Sequence, residues 1–183
     1  MIYFDQWYPN LNDMKKLPSV NTKAIRLLQR MGIDYTLLPH SQPVFTVAEA
    51  AVQRGVVIEE MVKSILLRET GRGRYVMACV LGPDKLDHRA VRRILPGDWQ
   101  RLTFAGDEEI TAITGYPRGA VNPLGMPENV PVVFDETIAR CRLVNISTGD
   151  LMFGLELAAS DLIRLAGATL ARIAIAGEQP REG

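Results

Sequence analysis

The chain has few of the residues that most often build metal sites, disulfides and catalytic centres. Its 183 residues include two cysteines and two histidines, and aromatic residues make up 7% of the total. Cys79 and Cys141 lie far apart and outside any C-x-x-C pair. This favours a reducing compartment and predicts neither a disulfide framework nor a zinc site. His40 and His88 have no acidic partner motif nearby, so we expect no bound metal and no other cofactor.

Long apolar runs and an excess of one charge are also missing. No stretch reaches the roughly 18 apolar residues of a transmembrane helix. The start lacks the basic and apolar regions of a signal peptide, so we expect a cytoplasmic protein with no membrane partner. Lys+Arg and Asp+Glu number 21 each, whereas proteins that bind nucleic acid mainly through phosphates are usually basic. A nucleic-acid partner would therefore have to be bound through local basic clusters.

Two local clusters of basic residues could serve such a partner. They are Arg68, Arg72 and Arg74 around a predicted hairpin, and Lys85, Arg89, Arg92 and Arg93 near one predicted helix. Charge runs of this kind are also typical of solvated faces, so both interpretations stay open.

The common catalytic signatures are absent. The sequence has no G-x-x-x-x-G-K-[ST], no G-x-G-x-x-G after a strand, no H-E-x-x-H and no G-x-S-x-G. No motif points to a Ser-His-Asp triad. Motif searching by itself therefore leaves the reaction open.

Length and composition fit one well-packed domain, with 47% apolar and 23% charged residues. We expect a lead segment at 1–18, a single domain at 19–176 and a loose polar tail at 177–183. Helices are predicted at 20–31 capped by Ser19, from Thr46 to near Gly55, at 88–95 capped by Asp87, at 108–114 capped by Asp107 and at 161–166 capped by Ser160. Strands are predicted at 33–38, 62–68, 75–81, 99–104, 131–134, 141–147, 151–157 and 169–175. Because strands outnumber helices without alternating regularly with them, the predicted class is α+β, a mixed, curved sheet with helices packed around it.

Residues 114–125 read T-G-Y-P-R-G-A-V-N-P-L-G and are the most constrained stretch of the chain. Three glycines and two prolines in twelve residues exclude a helix or an ordinary strand. Glycine also lets a ligand approach the main chain closely, so this loop could be the shaped wall of a site. A plain connecting loop is the other interpretation that composition allows.

Lys63 is the other unusual position, because it lies in an otherwise apolar strand. Alternation places Lys63, Ile65 and Leu67 on one face. If that face is buried, the ammonium needs an anion or an open cavity, because burying an unpaired charge is costly. Alternatively, Lys63 lies near the strand start and extends to solvent.

Four segments together resemble the YbaK family of aminoacyl-tRNA editing deacylases, relatives of the editing insertion domain of bacterial prolyl-tRNA synthetase. They are K-S-I-L at 63–66, the loop at 115–125, N-I-S-T-G at 145–149 and G-L-E-L-A-A-S-D-L at 154–162. The match runs from about residue 20 to 175, in the family's order. It implies a mixed sheet curled towards a barrel and hydrolysis, without a metal, of the ester in tRNA that carries the wrong amino acid.

The resemblance also implies roles for individual residues. Lys63 matches the family's functional lysine, taken here as catalytic, and Ser64 its polar neighbour in the substrate site. The other substrate-binding residues that it implies are Gly115, Tyr116, Gly119, Asn122, Pro123 and Gly125 in the first loop, and Ser147 and Gly149 in a second loop. Backbone N–H groups of the first loop would stabilise the charge that develops on the ester carbonyl. No residue stands out as a general base, and the terminal ribose hydroxyl of the tRNA or the substrate side chain would assist instead.

Three departures from the family pattern bear on the substrate. The first loop has Ala120 and Asn122 where many relatives have Gly and Ser, and Gly154 stands where relatives acting on cysteinyl-tRNA have an acidic residue. The expected substrate is tRNA for proline carrying a small wrong amino acid such as Ala or Cys, with an aminoacyl-tRNA synthetase as a possible partner. Two alternatives remain: a non-catalytic module that binds tRNA, a nucleotide or a synthetase, and a hydrolase of another small acyl ester or amide.

Overall fold

The computed structural model describes residues 20–175, and the predicted lead segment 1–18 and tail 177–183 lie outside them. The helices of this range are α1 (Lys23–Met31), α2 (Val47–Arg54), α3 (His88–Ile94), α4 (Asp107–Thr114) and α5 (Ala159–Ala166), with 3-10 turns at Ile58–Glu60 and Glu136–Arg140. The strands are β1 (Tyr35–Pro39), β2 (Val62–Glu69), β3 (Tyr75–Leu81), β4 (Lys85–Leu86), β5 (Leu102–Phe104), β6 (Val132–Asp135), β7 (Leu143–Ser147), β8 (Phe153–Ala158), β9 (Thr169–Ala171) and β10 (Ala174–Ile175). No helix in this range is long and apolar enough to cross a membrane.

A five-stranded sheet in the order β5-β2-β3-β6-β9 contains the hairpin predicted from the sequence. β2 and β3 are antiparallel, with Val62 opposite Leu81, whereas β6 is parallel to both β3 and β9. β3 lies at the centre, as its nearly continuous apolar sequence predicted, and residues 76–80 are fully buried. The other described strands form a β1-β8-β7 sheet and a β10-β4 pair. The predicted α+β class with a mixed sheet is confirmed, and the described strands do not close into a barrel.

Alternate side chains of the central sheet enter two hydrophobic clusters, one on each face. Leu66 and Met77 join the larger cluster, which also contains the apolar faces of α1 and α5. Leu67 and Val80 join the second cluster, which contains buried residues of α3. Ile65 packs against that second cluster, so the alternation predicted for β2 is confirmed.

Several helix ends lie where the sequence predicted them. The Thr46 side chain accepts from the Glu49 amide while the Glu49 carboxylate accepts from the Thr46 amide, a complete capping box. α1 ends at Gly32 and α2 at Gly55, and the Asp87 carboxylate caps α3. These helix ends depend on hydrogen bonds between residues that are close in sequence, so a sequence pattern can predict them.

Three predicted N-caps are wrong: the caps are Thr22 rather than Ser19, Gly106 rather than Asp107 and Ala158 rather than Ser160. Glu109 Oε2 accepts from the Gly106 amide at 2.7 Å. This starts α4 one residue early and leaves the Asp107 carboxylate in the first turn, where the helix dipole favours it. α5 starts early because β8 runs into it without a loop.

Two predicted strands are shorter than expected because buried carboxylates accept hydrogen bonds from their backbone amides. Asp135 Oδ2 accepts from Ile173 and Ala174 at 2.8 and 2.7 Å, so the strand predicted at 169–175 is split into β9 and β10. Glu69 accepts from the Gln100 amide, and the strand predicted at 99–104 begins only at Leu102.

Candidate functional site

A cleft of about 330 Å³ lies where several distant segments of the chain meet. Residues of α2 and of the segment that leads into it make one wall, and residues 62–66 of β2 make the second. The third wall contains Arg118, Gly119 and Val121 of the glycine-rich loop (residues 114–125) and the end of β7 at Ile146 and Ser147. Phe104, Ala105 and Ile110 also line the cleft. The lining is mainly apolar, with a few polar groups placed in it, which is typical of small-molecule sites.

The cleft exists because part of one edge of β2 has no neighbouring strand. β5 pairs with β2 only from Leu67 to Glu69, and Met61 touches β7 only through an isolated bridge to Asn145. Leu66 O accepts from the Ala105 amide on this side. Since main-chain groups alternate in direction along a strand, the N–H and C=O of Ser64, two residues earlier, point the same way, towards the cleft.

Lys63 is half-buried in the β2 wall of the cleft. Its Nζ donates to the main-chain carbonyl of Asp84 in the turn between β3 and β4. Burial lowers the pKa of Lys63, and the nearby Asp84 charge partly offsets that shift. Lys63 thus has features of both environments considered from the sequence: it is the second residue of β2 and is only half-buried, and it lines an open cleft.

Arg54 contributes a second cation to the wall, which sequence reasoning missed. Its Nε donates to His40 Nε2 at 3.0 Å, and Nη1 donates to Ile146 O at 3.0 Å and lies 3.7 Å from Met61 Sδ. Burial lowers the pKa of Arg54 to about 10, so the side chain remains charged at neutral pH. Among the residues that the structure describes, no carboxylate forms an ion pair with it.

His40 is buried, with 6% of its surface exposed, and it orients Arg54. Its Nδ1 lies 2.8 Å from Leu151 O, a pure acceptor, while Nε2 accepts from Arg54. The proton therefore belongs on Nδ1 and the ring is neutral. Burial lowers the pKa of His40, and the Arg54 charge acts in the same direction. With both nitrogens engaged, His40 is a positioning residue and not a candidate base.

Three cationic residues line the cleft, and aromatic residues lie at its mouth. Arg54, Lys63 and Arg118 are these cations, and Arg118 also forms an ion pair with Asp107 at 2.9 Å, whereas no Asp, Glu, His or Cys of the described residues is part of the lining. Phe45 and Phe104 also line it, with 70% and 64% of their surfaces exposed. Within residues 20–175, no three His, Cys, Asp or Glu side chains come together as a metal site.

Four of the predicted site residues line the cleft, namely Lys63, Ser64, Gly119 and Ser147. Six lie outside its lining, namely Gly115, Tyr116, Asn122, Pro123, Gly125 and Gly149. Tyr116 and Asn122 are fully buried behind the wall. Ala120, one of the departures from the family pattern, is buried with them and does not line the cleft.

The residues behind the wall hold the glycine-rich loop in shape. Tyr116 Oη donates to Leu124 O at 2.9 Å across the loop. Asn122 Oδ1 accepts from the Leu124 amide and its Nδ2 donates to Ser147 O, both at 2.7 Å. Asn122 therefore joins the first loop to the second, next to a residue that lines the cleft.

At two positions, one in the second loop and one shortly after it, a side chain larger than glycine would not fit. Gly149 has φ 95°, and a Cβ there would overlap the Tyr116 ring. A Cβ on Gly154 would overlap the Arg54 guanidinium. Gly154 stands where relatives acting on cysteinyl-tRNA have an acidic residue, and here the Arg54 side chain occupies the space that such a residue would need.

The basic residues proposed for docking differ in their surroundings. All three hairpin arginines are paired: Arg68 with Glu109 at 3.4 Å, Arg72 with Asp98 at 3.0 Å and Arg74 with Glu69 at 2.6 Å. On α3, Arg93 lies 3.9 Å from Asp87, while Arg89 and Arg92 are exposed and form no ion pair within the described range.

Several known proteins are similar to this chain. Proline–tRNA ligases of Kosmotoga olearia and Trichlorobacter lovleyi are 36% and 33% identical over 120 and 99 residues. These segments cover 66% and 54% of this chain but 18% and 17% of the ligases, so the chain matches only a small part of each enzyme.

Solved structures with the same fold include a hypothetical protein and a candidate trans-editing enzyme for prolyl-tRNA synthetase. The first has a TM-score of 0.75 and 26% identity, and covers 84% of this chain and 100% of its own. The second has a TM-score of 0.69 and 25% identity, with coverage of 85% and 99%. The sequence profile of the aminoacyl-tRNA editing domain matches residues 41–165, and the chain belongs to that family.

Proposed function

We propose that this protein is an aminoacyl-tRNA deacylase that acts in trans in the cytoplasm. It removes a small wrong amino acid, such as Ala or Cys, from tRNA for proline. The observation that carries this proposal is the cleft that Lys63, Gly119 and Ser147, from three distant segments, line together with Arg54, and to which no carboxylate of the described residues contributes. Membership in the editing family and similarity to part of the proline–tRNA ligases support the same reaction.

The cationic lining of the cleft suits the acceptor end of a tRNA. The terminal nucleotides carry phosphates, and Lys63, which is paired with no carboxylate among the described ion pairs, acts as a compact point charge near the ester or its adjacent phosphate, whereas Arg118 is already paired with Asp107. Phe45 and Phe104 at the mouth offer exposed rings on which unpaired terminal bases stack.

Stabilisation of the transition state falls to main-chain amides. The amides of Tyr116, Ala120 and Leu124 donate hydrogen bonds to residues 114–122. The amides of Gly119 and Val121 in the cleft wall are therefore the loop's candidate donors to the transition state. The Ser64 amide on the open edge of β2 is a further candidate. Donors aimed at the developing oxyanion are often the largest contribution to acyl transfer.

The part of the lining that residues 20–175 provide offers the attacking water no protein base. We therefore propose hydrolysis without a metal, in which a hydroxyl of the terminal ribose or the substrate side chain orients the water. The support for this is the chemistry of these lining residues, among which no His, Cys, Asp or Glu could bind a metal or take a proton.

Release of labelled amino acid from mischarged tRNA for proline tests the proposal. Wild type, Lys63→Ala and Lys63→Arg are compared on alanyl, cysteinyl and seryl esters, with Arg140→Ala as the matched surface-charge control. We expect Lys63→Ala to lose about a hundredfold in kcat/KM with folding intact, Lys63→Arg to recover part of it, and a chelator to change nothing.

Other outcomes would point elsewhere. Full activity of folded Lys63→Ala would overturn the role of Lys63. Binding of tRNA without turnover of any ester, with and without prolyl-tRNA synthetase present, would identify a non-catalytic module. Turnover of aminoacyl esters that lack tRNA at comparable efficiency would identify a small-ester hydrolase.

A further inference from the structure

The Arg54 guanidinium has donors that the fold does not use. Within residues 20–175, Nε and Nη1 account for all its hydrogen bonds, and Nη2 takes part in none. The one buried side-chain nitrogen or oxygen without a partner in this range is Asn145 Oδ1, so Nη2 is not sealed inside the protein. Arg54 also lines the cleft, so the two N–H groups of Nη2 can serve a ligand bound there.

The orientation of this guanidinium is fixed from several sides. His40 holds Nε and Ile146 O holds Nη1, both at 3.0 Å. Gly154 lies against the group where any side chain would displace it. The planar guanidinium therefore presents its remaining donors in one direction, which is the arrangement needed to recognise an oxygen acceptor.

Arg54 is the last residue of α2 and the exposed Phe45 precedes the first, so the two lie at opposite ends of this helix. The neighbours of Arg54 at its end of the helix are His40, Met61 and Ile146, all buried. An aminoacyl-nucleotide that keeps its nucleotide at the mouth presents its amino-acid side chain to this end.

We propose that Arg54 determines which amino acid is removed: Nη2 donates to an oxygen on the side chain of the aminoacyl group, so the cleft selects serine over alanine and cysteine. This rests on the proposed deacylation of tRNA for proline, and within the class of small wrong amino acids it makes serine, in place of alanine or cysteine, the preferred one. Cysteine is close to serine in size, but its sulfur is a weak acceptor, and alanine has no acceptor at all. A donor left without its partner disfavours the analogue that lacks the oxygen.

The test is a ratio of activities rather than a single activity, since a merely structural arginine would lower all rates together. For wild type we expect kcat/KM on the seryl ester to exceed that on the alanyl and cysteinyl esters of the same tRNA by about tenfold to a hundredfold, the value of one hydrogen bond to a charged group. Arg54→Met should bring the ratio close to one, because seryl turnover falls more than alanyl turnover does. Arg140→Met, which removes an exposed arginine, should leave the ratio unchanged.

Gly154→Ala provides an independent variant, because the added methyl displaces the guanidinium without deleting it. We expect it to lower the seryl-to-alanyl ratio as Arg54→Met does. If Arg54→Met does not fold, the ratio measured for Gly154→Ala tests the role of Arg54 in its place. Equal wild-type rates on the three esters, or an unchanged ratio in folded Arg54→Met, would overturn this inference alone. No wild-type turnover of any ester would overturn the proposed function and the inference with it.

Discussion

The Lys23 ammonium lies 4.2 Å from the centre of the Tyr116 ring and donates hydrogen bonds to the carbonyls of Thr114 and Gly125. Thr114 ends α4 and Gly125 ends the glycine-rich loop, so one side chain of α1 holds both ends of that loop. Burial lowers the pKa of Lys23, because removal from water disfavours the charged ammonium. The wall of the cleft is thus supported from the side that faces away from any substrate.

Replacing Lys23 should weaken the loop. For Lys23→Met we expect a loss of about 1–2 kcal/mol in the free energy of unfolding, from the cation–π contact and the hydrogen bonds to the carbonyls. We also expect a lower kcat on mischarged tRNA. Urea unfolding measures the first, with Arg26→Met on the exposed side of α1 as control. Equal stability of the two variants would show that Lys23 does not hold the two ends of the loop together.

Asn122 should be the most sensitive position of the loop. Asn122→Ala removes two buried hydrogen bonds, to Leu124 N and Ser147 O, and we expect a loss of about 2–4 kcal/mol in unfolding free energy. Asn122→Asp keeps the acceptor for Leu124 but loses the donor to Ser147 and places a carboxylate against that carbonyl. It should be at least as unstable as Asn122→Ala. Thermal denaturation of both variants is the measurement, and a stable Asn122→Asp would show that Ser147 does not need this donor.

Glu69 should make stability depend on pH in the acid range. The hydrogen bond from Arg74 and the donation from the Gln100 amide lower the pKa of Glu69 from 4.5 to about 2. Since the folded-state pKa is the lower one, this contribution is fully present above pH 4.5 and is lost as the pH falls towards 2. The melting temperature of Glu69→Gln should be lower at pH 7 and should fall less between pH 4.5 and 2 than that of wild type. Glu136→Gln, at an exposed ion pair, serves as the control.

Arg89 and Arg92 should contribute more to tRNA affinity than the hairpin arginines, because the hairpin charges are already paired with carboxylates. For the double variant Arg89→Ala/Arg92→Ala we expect weaker binding and a slope of log affinity against log salt reduced by up to about 2. Arg72→Ala, whose partner is Asp98, should change the slope less. Binding titrations at several salt concentrations measure both. Identical slopes in all proteins would place the tRNA on another face.

The parts of the fold that the sequence predicted well are those fixed by neighbouring residues. The capping box at Thr46 and Glu49 and the helix ends at Gly32 and Gly55 need only local hydrogen bonds. The split of the last strand could not be predicted in this way. It depends on Asp135, whose carboxylate meets amides that lie far along the chain.

The candidate site was predictable only in part for the same reason. The resemblance pointed to Lys63, Ser64, Gly119 and Ser147, which the structure brings into one cleft. It could not distinguish loop residues that face the cleft from those, such as Tyr116, that face the core. Arg54 carries no motif, and its position becomes meaningful only beside Gly154 on a distant strand. The roles of all these residues in the reaction stay predictions until the variants are measured.

The pairing of β1 with β8 has a consequence for the order of folding. Tyr35 lies opposite Leu157, so β1 leaves the ribosome long before its partner strand is made. The β2–β3 hairpin can form early, because its pairing is local. His40 follows β1, and Ile146 belongs to β7, which pairs with β8. The setting of Arg54 is therefore completed late, and a nascent chain that stops before β8 can hold its hairpin without having a cleft that binds substrate.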